Sequence, residues 1–338
     1  MQDAGIGKGA SALSQQPEQA AADAAAGALS AESRIPNPAA RFWDSDIAWS
    51  FRNSPVAIGA TVVAVLLIFA SVFAEWVAPH NPFDLATINL LDASLPPMWE
   101  ENSNPKFWLG TDPQGRDIYS AILFGMRISL VIAVASVILA VLLGVGLGLL
   151  SGYVGGRVDA FIMRIADVQL SFPAILIALL IDGVARAALP REVHDVVAFP
   201  VLVGAIALAG WPQYARTVRG STLVERSKEY VQAARVIGVA PLAIMFKHVL
   251  PNVTGPVLVL CTVHIATAVL TEATLSFLGV GVPPTSPSLG TLINIGNEFL
   301  FAGEWWIVIF PGVALVLLVL SVNLLGDWLR DALNPRLQ

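Results

Sequence analysis

The sequence predicts an all-α membrane protein with six transmembrane helices and both termini on the cytoplasmic side. Three observations carry that expectation. Of 338 residues, 56% are hydrophobic and 13% charged, whereas a soluble domain carries about a quarter charged residues. Six apolar runs approach the roughly 20 residues that cross about 30 Å of hydrocarbon. The Lys and Arg residues are also unevenly shared: an inside N-terminus places fourteen on cytoplasmic segments and five outside, as basic loops require.

Residues 1–44, with "QQPEQAAADAAAGALSAES", are rich in Ala, Gln and Ser and have no continuous apolar core. They are expected to form a disordered cytoplasmic tail, without the apolar region of a secretory signal. The first span, about 56–78, and the loop after it make a unit of 45–118. That loop is acidic, with Asp84, Asp92, Glu100, Glu101, Asp112 and Asp117 against Lys106 and Arg116. Asp112 before Pro113 predicts the start of a short interfacial helix, with Trp108 and Tyr119 near headgroup level. A second unit, 119–334, holds five further helices and a cytoplasmic loop over 217–252.

The second span, about 127–151, repeats glycine every four residues at Gly144, Gly148 and Gly152. "GVGLGLLSG" looks like a dinucleotide loop, but inside an apolar span it predicts a helix face where another backbone comes close. The third span, about 159–183, carries Asp167 just before "SFP", as a packing or gating group. The fourth covers about 197–216. The fifth, about 256–279, carries His264, Thr267, Thr271 and Glu272, whose spacing sets them on one broad helix face. Such groups either face a watery path or hold helices together by hydrogen bonds. The sixth covers about 305–327.

Between spans four and five lies "EYVQAARVIGVAPLAIMFKHVLP", residues 229–251. Glu229, Ala233 and Val236/Ile237 share a helix face, and Ala233 and Ala234 keep bulk low where a partner surface approaches. Gly238 is placed for a left-handed helix end. Pro241 suits the first turn of a second helix, which Pro251 is expected to close. Two short helices joined by a hinge, shaped to dock on something soluble, are predicted on the cytoplasmic face.

Other chemistry is scarce. A lone Cys261 excludes an intrachain disulfide framework or a clustered thiolate site. His80, His194, His248 and His264 show no metal-ligand spacing, and basic clusters interleaved with aromatics are absent, which argues against nucleic acid. No GxxxxGK[ST] cradle occurs, nor a nucleophile–base–orienter set. Work against a gradient would draw its energy from an ion gradient or another subunit.

Glu229, Ala233–Ala234, Gly238 and, thirteen residues on, Pro251 resemble the EAA loop of ABC-importer permeases, written E-A-A, then G after three residues, then I-x-L-P. His248 stands where the broad family often has Ile, which resembles the peptide-importer branch. "WLGTDPQGRDIYSAILFGMRISL", "GYVGGRVDAFIMRIADVQLSFPAIL", "GWPQYARTVRG" and "LSFLGVGVPPTSPSLGTLI" extend the similarity over about 45–336. They look like the dipeptide/oligopeptide/nickel permease family, in the subunit with a short N-terminal membrane segment.

The resemblance implies a type I ABC importer permease fold in a bacterial inner membrane. It implies a transport component and not an enzyme, with no cofactor of its own because ATP is bound by partner subunits. The implied partners are a second permease in a heterodimer, two ATP-binding subunits and a periplasmic substrate-binding protein. Glu229, Ala233, Ala234, Gly238 and Pro251 would couple to the ATPase, while His264, Thr267, Thr271, Glu272 and Asp167 are candidates for pathway or packing. Peptides, nickel, glutathione and opines are all substrates of the resembled family. A reading from another class, an ion-coupled secondary transporter with Glu272 and Asp167 on a proton path, has no clear internal repeat behind it. A membrane scaffold without transport is a third.

Overall fold

The computed structural model describes residues 46–84, 88–190 and 193–332, so the tail of 1–44 lies outside the described residues. Two compact units divide after Asn53. The described part of the first is helix α1 (Asp46–Arg52) and Asn53; Arg52 Nε donates to the carbonyl of Ala48 at 3.2 Å. Among the described residues there is no β-strand, only an isolated bridge between Thr111 and Asp117.

The second unit opens with α2 (Pro55–Val72), whose first turn uses Pro55 and the Ser54 hydroxyl, which accepts from Ala57 N. Ala57, Ala60 and Ala64 are buried, while Val62, Val65, Leu66 and Phe69 are exposed. Small residues inward and large ones outward is the pattern of a helix solvated by lipid. A short α3 (Ala74–Val77) follows.

Asp112 does not begin a helix. Its Oδ1 accepts from the amides of Gln114 and Arg116, both at 2.9 Å, and its Oδ2 lies 2.6 Å from Arg116 Nε in a buried pair. Gly115 at φ +80° completes the turn. An Asx residue serves a loop turn as readily as a helix cap, and the left-handed glycine settles it. The cap is Asp117, which accepts from Ser120 N at 3.0 Å and starts α4 (Ile118–Val154) directly. At 37 residues α4 is about 55 Å long, so it projects beyond the hydrocarbon.

The third predicted span is not straight. α5 (Gly156–Leu170) and α6 (Ala174–Ala188) meet at 95°. Pro173 has no amide to donate and disfavours helical geometry at Phe172. Each half is about 22 Å long, too short to cross alone, so the described residues hold five long apolar helices, and six crossings when the bent pair is taken as one span. An apolar run reports solvent, not direction.

α7 (His194–Glu225) contains Pro200 and Pro212 and shares its longest seam with α4. The glycine face makes that seam. A Cβ on Gly144 would lie 2.4 Å from Tyr214 Cβ, one on Gly148 2.6 Å from the Ala215 carbonyl, and one on Gly152 2.7 Å from Thr222 Cβ.

α8 (Glu229–Val236) and α9 (Pro241–Ile244) come next. Pro251 does not close the second helix as expected. Met245–Val249 forms a π-turn, with Leu250 N donating to the Met245 carbonyl, and leads straight into α10 (Leu250–Phe277). The wider turn gives room to a proline ring that an α-turn would press against the carbonyl four residues earlier. The fifth crossing therefore runs unbroken over Pro241–Phe277. α11 (Leu289–Phe299) and α12 (Trp306–Ala332) complete the unit. Its interior centres on Ile118, Ile132, Leu202, Val269, Leu289 and Leu318.

Candidate functional site

Two regions hold the predicted site residues. The first is the knuckle made by α8, α9 and the π-turn. Ala234 N-terminal to the turn is buried with Val231, Ile244 and Val249 against Leu149, Val218 and Val253. Glu229, Ala233 and Gly238 are exposed. The small pair thus splits: Ala234 lets α8 sit on its own protein, and only Ala233 faces outward. Gly238 has φ +82°, its amide donating to the Arg235 carbonyl while Val239 N donates to the Ala234 carbonyl, the double closure of a Schellman end. Pro251 is exposed at the start of α10.

The outer surface of the knuckle is apolar. Val236 and Ile237 are 87% and 78% exposed, and Leu242 and Phe246 are exposed beside them. Its inner surface packs on the apolar cluster just described and is also fastened by polar contacts. Arg226 Nη1 donates to the Gly152 carbonyl at 2.8 Å, closing the end of α4, and the Arg235 guanidinium lies 4.8 Å from the Tyr153 ring centre. Tyr230 hydrogen-bonds Glu225, and Asn252 Nδ2 donates to the Tyr230 hydroxyl at 2.9 Å. Burial and the bond to Glu225 both push the Tyr230 phenol above its ordinary pKa, so it keeps its proton throughout the neutral range.

The second region is a cavity of about 340 Å³ between the start of α6, α7 and α10. Gln213, His264, Thr267 and Thr271 supply its polar lining. The His264 ring lies over Gly210, where a Cβ would stand 2.2 Å from its Cε1, and its Nδ1 shares a 2.9 Å hydrogen bond with the Tyr214 hydroxyl. Thr267 donates to the His264 carbonyl and Thr271 to that of Thr267, which leaves their oxygens free to accept from a guest.

Glu272 departs from the face predicted for it. One position past Thr271 it is turned about 100° further round the helix and is fully buried, its Oε1 accepting from Ser276 Oγ at 2.7 Å. Asp167 is elsewhere again, paired at 2.6 Å with Arg216. The two carboxyls do not share a site. Sequence reasoning passed over a second pair: Arg219 Nη2 donates to Asp159 Oδ2 at 2.7 Å while its Nε bonds the other oxygen. Nearby, Trp211 Nε1 donates to Gln169 Oε1 at 3.0 Å. The signal was Asp159 and Asp167 eight apart facing Arg216 and Arg219 three apart, legible only once α5 and α7 are known to be neighbours.

A family profile described as a binding-protein-dependent transport system inner membrane component matches residues 144–338, more than half the chain. The chain belongs to that family. A second profile, the N-terminal transmembrane domain of oligopeptide transport permease C, matches residues 41–97 of the permease. The permease is 37% identical over 303 residues to the di/tripeptide transport system permease protein DppC of Pseudomonas aeruginosa, covering 90% of this chain and 94% of that one. It is 38% identical over 306 residues to the dipeptide transport system permease protein DppC of Escherichia coli, covering 89% and 94%. It is 36% identical over 291 residues to the glutathione transport system permease protein GsiD of Escherichia coli, covering 85% and 89%. The inward-facing MetNI methionine ABC transporter matches with a TM-score of 0.50 and 20% identity, over 63% of this permease and 96% of that chain; this establishes the shared fold. The protein is an ABC importer permease, a multi-pass component of a bacterial inner membrane.

Proposed function

We propose that this permease imports di- or oligopeptides as one half of a translocation pathway, beside a second permease, and that two separate ATP-binding subunits drive it through the knuckle of residues 229–251. A periplasmic binding protein delivers the peptide, and this chain holds no cofactor or nucleotide itself. The observation that carries the proposal is the two-sided knuckle. Its outer face offers Val236 and Ile237, outside the spans, next to Leu242 and Phe246 in the first turns of the fifth crossing, an apolar patch that marks an interaction site. Its inner face is fastened to α4, α7 and α10 through Arg235 and Tyr230. α7 and α10 also wall the cavity, so a push at the knuckle reaches the cavity lining through continuous helices. Peptide follows from the names of the relatives and from a lining that offers neutral donors and acceptors like those of a peptide bond.

The test is reconstitution of the permease with its companion permease, ATPases and binding protein in proteoliposomes, measuring uptake of radiolabelled dialanine. ATP-dependent uptake is the expected result. Uptake driven by a proton gradient through this chain alone would overturn it in favour of a secondary transporter. In the same assay Gly238→Val should leave membrane insertion intact yet separate hydrolysis from uptake. A β-branched residue in the left-handed region costs about 1–2 kcal/mol, and no neighbour lies within 4 Å of that position to clash. Normal uptake by this variant counts against the coupling role of the turn.

A further inference from the structure

We infer that Tyr230 is the positioning residue that makes the knuckle and the cavity walls one rigid body. This rests on the coupling role proposed above and assigns it a mechanical link. Tyr230 is the second residue of α8, yet its hydroxyl lies where three elements meet. It bonds Glu225 Oε1 at the end of α7, receives Asn252 Nδ2 from α10, and is 3.2 Å from the His248 carbonyl in the π-turn.

A phenol has one proton to give. The buried carboxylate of Glu225 takes it, since charge-assisted bonds are the stronger ones, and Lys228 Nζ holds the other oxygen at 2.9 Å. The His248 carbonyl is then satisfied by Asn252 Nδ2 at 2.8 Å. The Tyr230 hydroxyl, both Glu225 oxygens, Asn252 Nδ2 and the His248 carbonyl are thus all paired, and the junction closes only when α7, α8 and α10 are in register. The knuckle is also held by apolar burial, by Gln232 Nε2 donating to the Ser227 carbonyl at 2.9 Å, and by the Arg235 contact to Tyr153 at the end of α4, none of which joins α7, α8 and α10 at one point.

Higher up, α7 and α10 are joined again by Tyr214 and His264 at the cavity edge. The two tyrosines brace the same pair of helices at two levels. Displacement of the knuckle is thereby converted into a tilt of both helices, and loss of the lower brace lets α8 move without them.

The experiment uses the complete reconstituted importer and reads the number of dialanine molecules taken up per ATP hydrolysed. A purely structural role would reduce the amount of assembled complex and leave that ratio alone. Tyr230→Phe keeps the ring and removes only the hydroxyl; the ratio should fall about tenfold, the factor one charge-assisted bond carries. Asn252→Ala cuts the same junction from the α10 side and should lower the ratio similarly, so the inference does not depend on one variant assembling. The double variant should be no worse than the poorer single one, because both break one link. An unchanged ratio in both single variants, or losses that multiply, overturns the brace while the import function stands. A wild-type complex without ATP-linked uptake overturns both together.

Discussion

Gly148 and Gly146 lie two positions apart in one apolar run and have opposite roles. A Cβ on Gly148 would meet the Ala215 carbonyl at 2.6 Å and Val218 Cβ at 2.9 Å, whereas nothing lies within 4 Å of Gly146. Backbone cannot rotate away as a side chain can, so Gly148→Val must push α4 from α7. The expected cost is about 2–3 kcal/mol, read as a lower heat-aggregation temperature of the protein in detergent. Gly146→Ala should be neutral or stabilising by up to about 1 kcal/mol, because alanine favours the helix. Equal losses from both would remove the close-packing account. The four-residue spacing of Gly144, Gly148 and Gly152 made this face legible beforehand, since a helix repeats its surface at that interval. The hydroxyl of Tyr230 was not legible, because its partners stand 5, 18 and 22 residues away with no period linking them.

For α5 the informative contacts are ionic. Its 15 residues turn 95° away from α6 and are fastened to α7 through Asp159 with Arg219, Asp167 with Arg216, and Gln169 with Trp211. Asp159 also accepts from Ser151 at the end of α4, whereas the Asp167 pair is more than half exposed and contributes little. Removing the partly buried pair is therefore the decisive change. Asp159→Ala should raise hydrogen exchange of the α5 amides at least tenfold, as expected from losing bonds to a charged group of about 1.5–3 kcal/mol, while α6 amides change little. Unchanged exchange in α5 would show that its apolar contacts suffice. Composition placed this element within the third predicted span, about 159–183. It could not give the right angle, because Pro173 in an apolar run is compatible with either a kink or a break.

Across the whole second unit, contacts sort the loops onto two ends of the helices. Ser94 with Glu304, Trp306 with Thr111 and Arg116 with Pro284 gather at one end; Arg226 with Gly152 and Tyr230 with His248 gather at the other. The uneven Lys and Arg distribution predicts that the second end faces the cytoplasm. Both Lys106 and Lys247 are exposed, so in a background with Cys261→Ser an impermeant maleimide applied to intact cells should label Lys106→Cys. It should reach Lys247→Cys only after permeabilisation, and the reverse pattern would invert the topology.

Solvent preference is additive along a chain, and a helix closes its own hydrogen bonds, so the sequence by itself determined that this protein is helical and crosses a membrane about six times. Local backbone rules likewise determined the left-handed turn at Gly238 and the first turn at Pro241. Tertiary structure alone decided that Ala234 turns inward, that Glu272 leaves the face of His264 and Thr271, and that Tyr230 joins three elements. Each of those outcomes depends on which helix stands beside which, a choice made by close packing between segments far apart in the chain, and no local pattern encodes it.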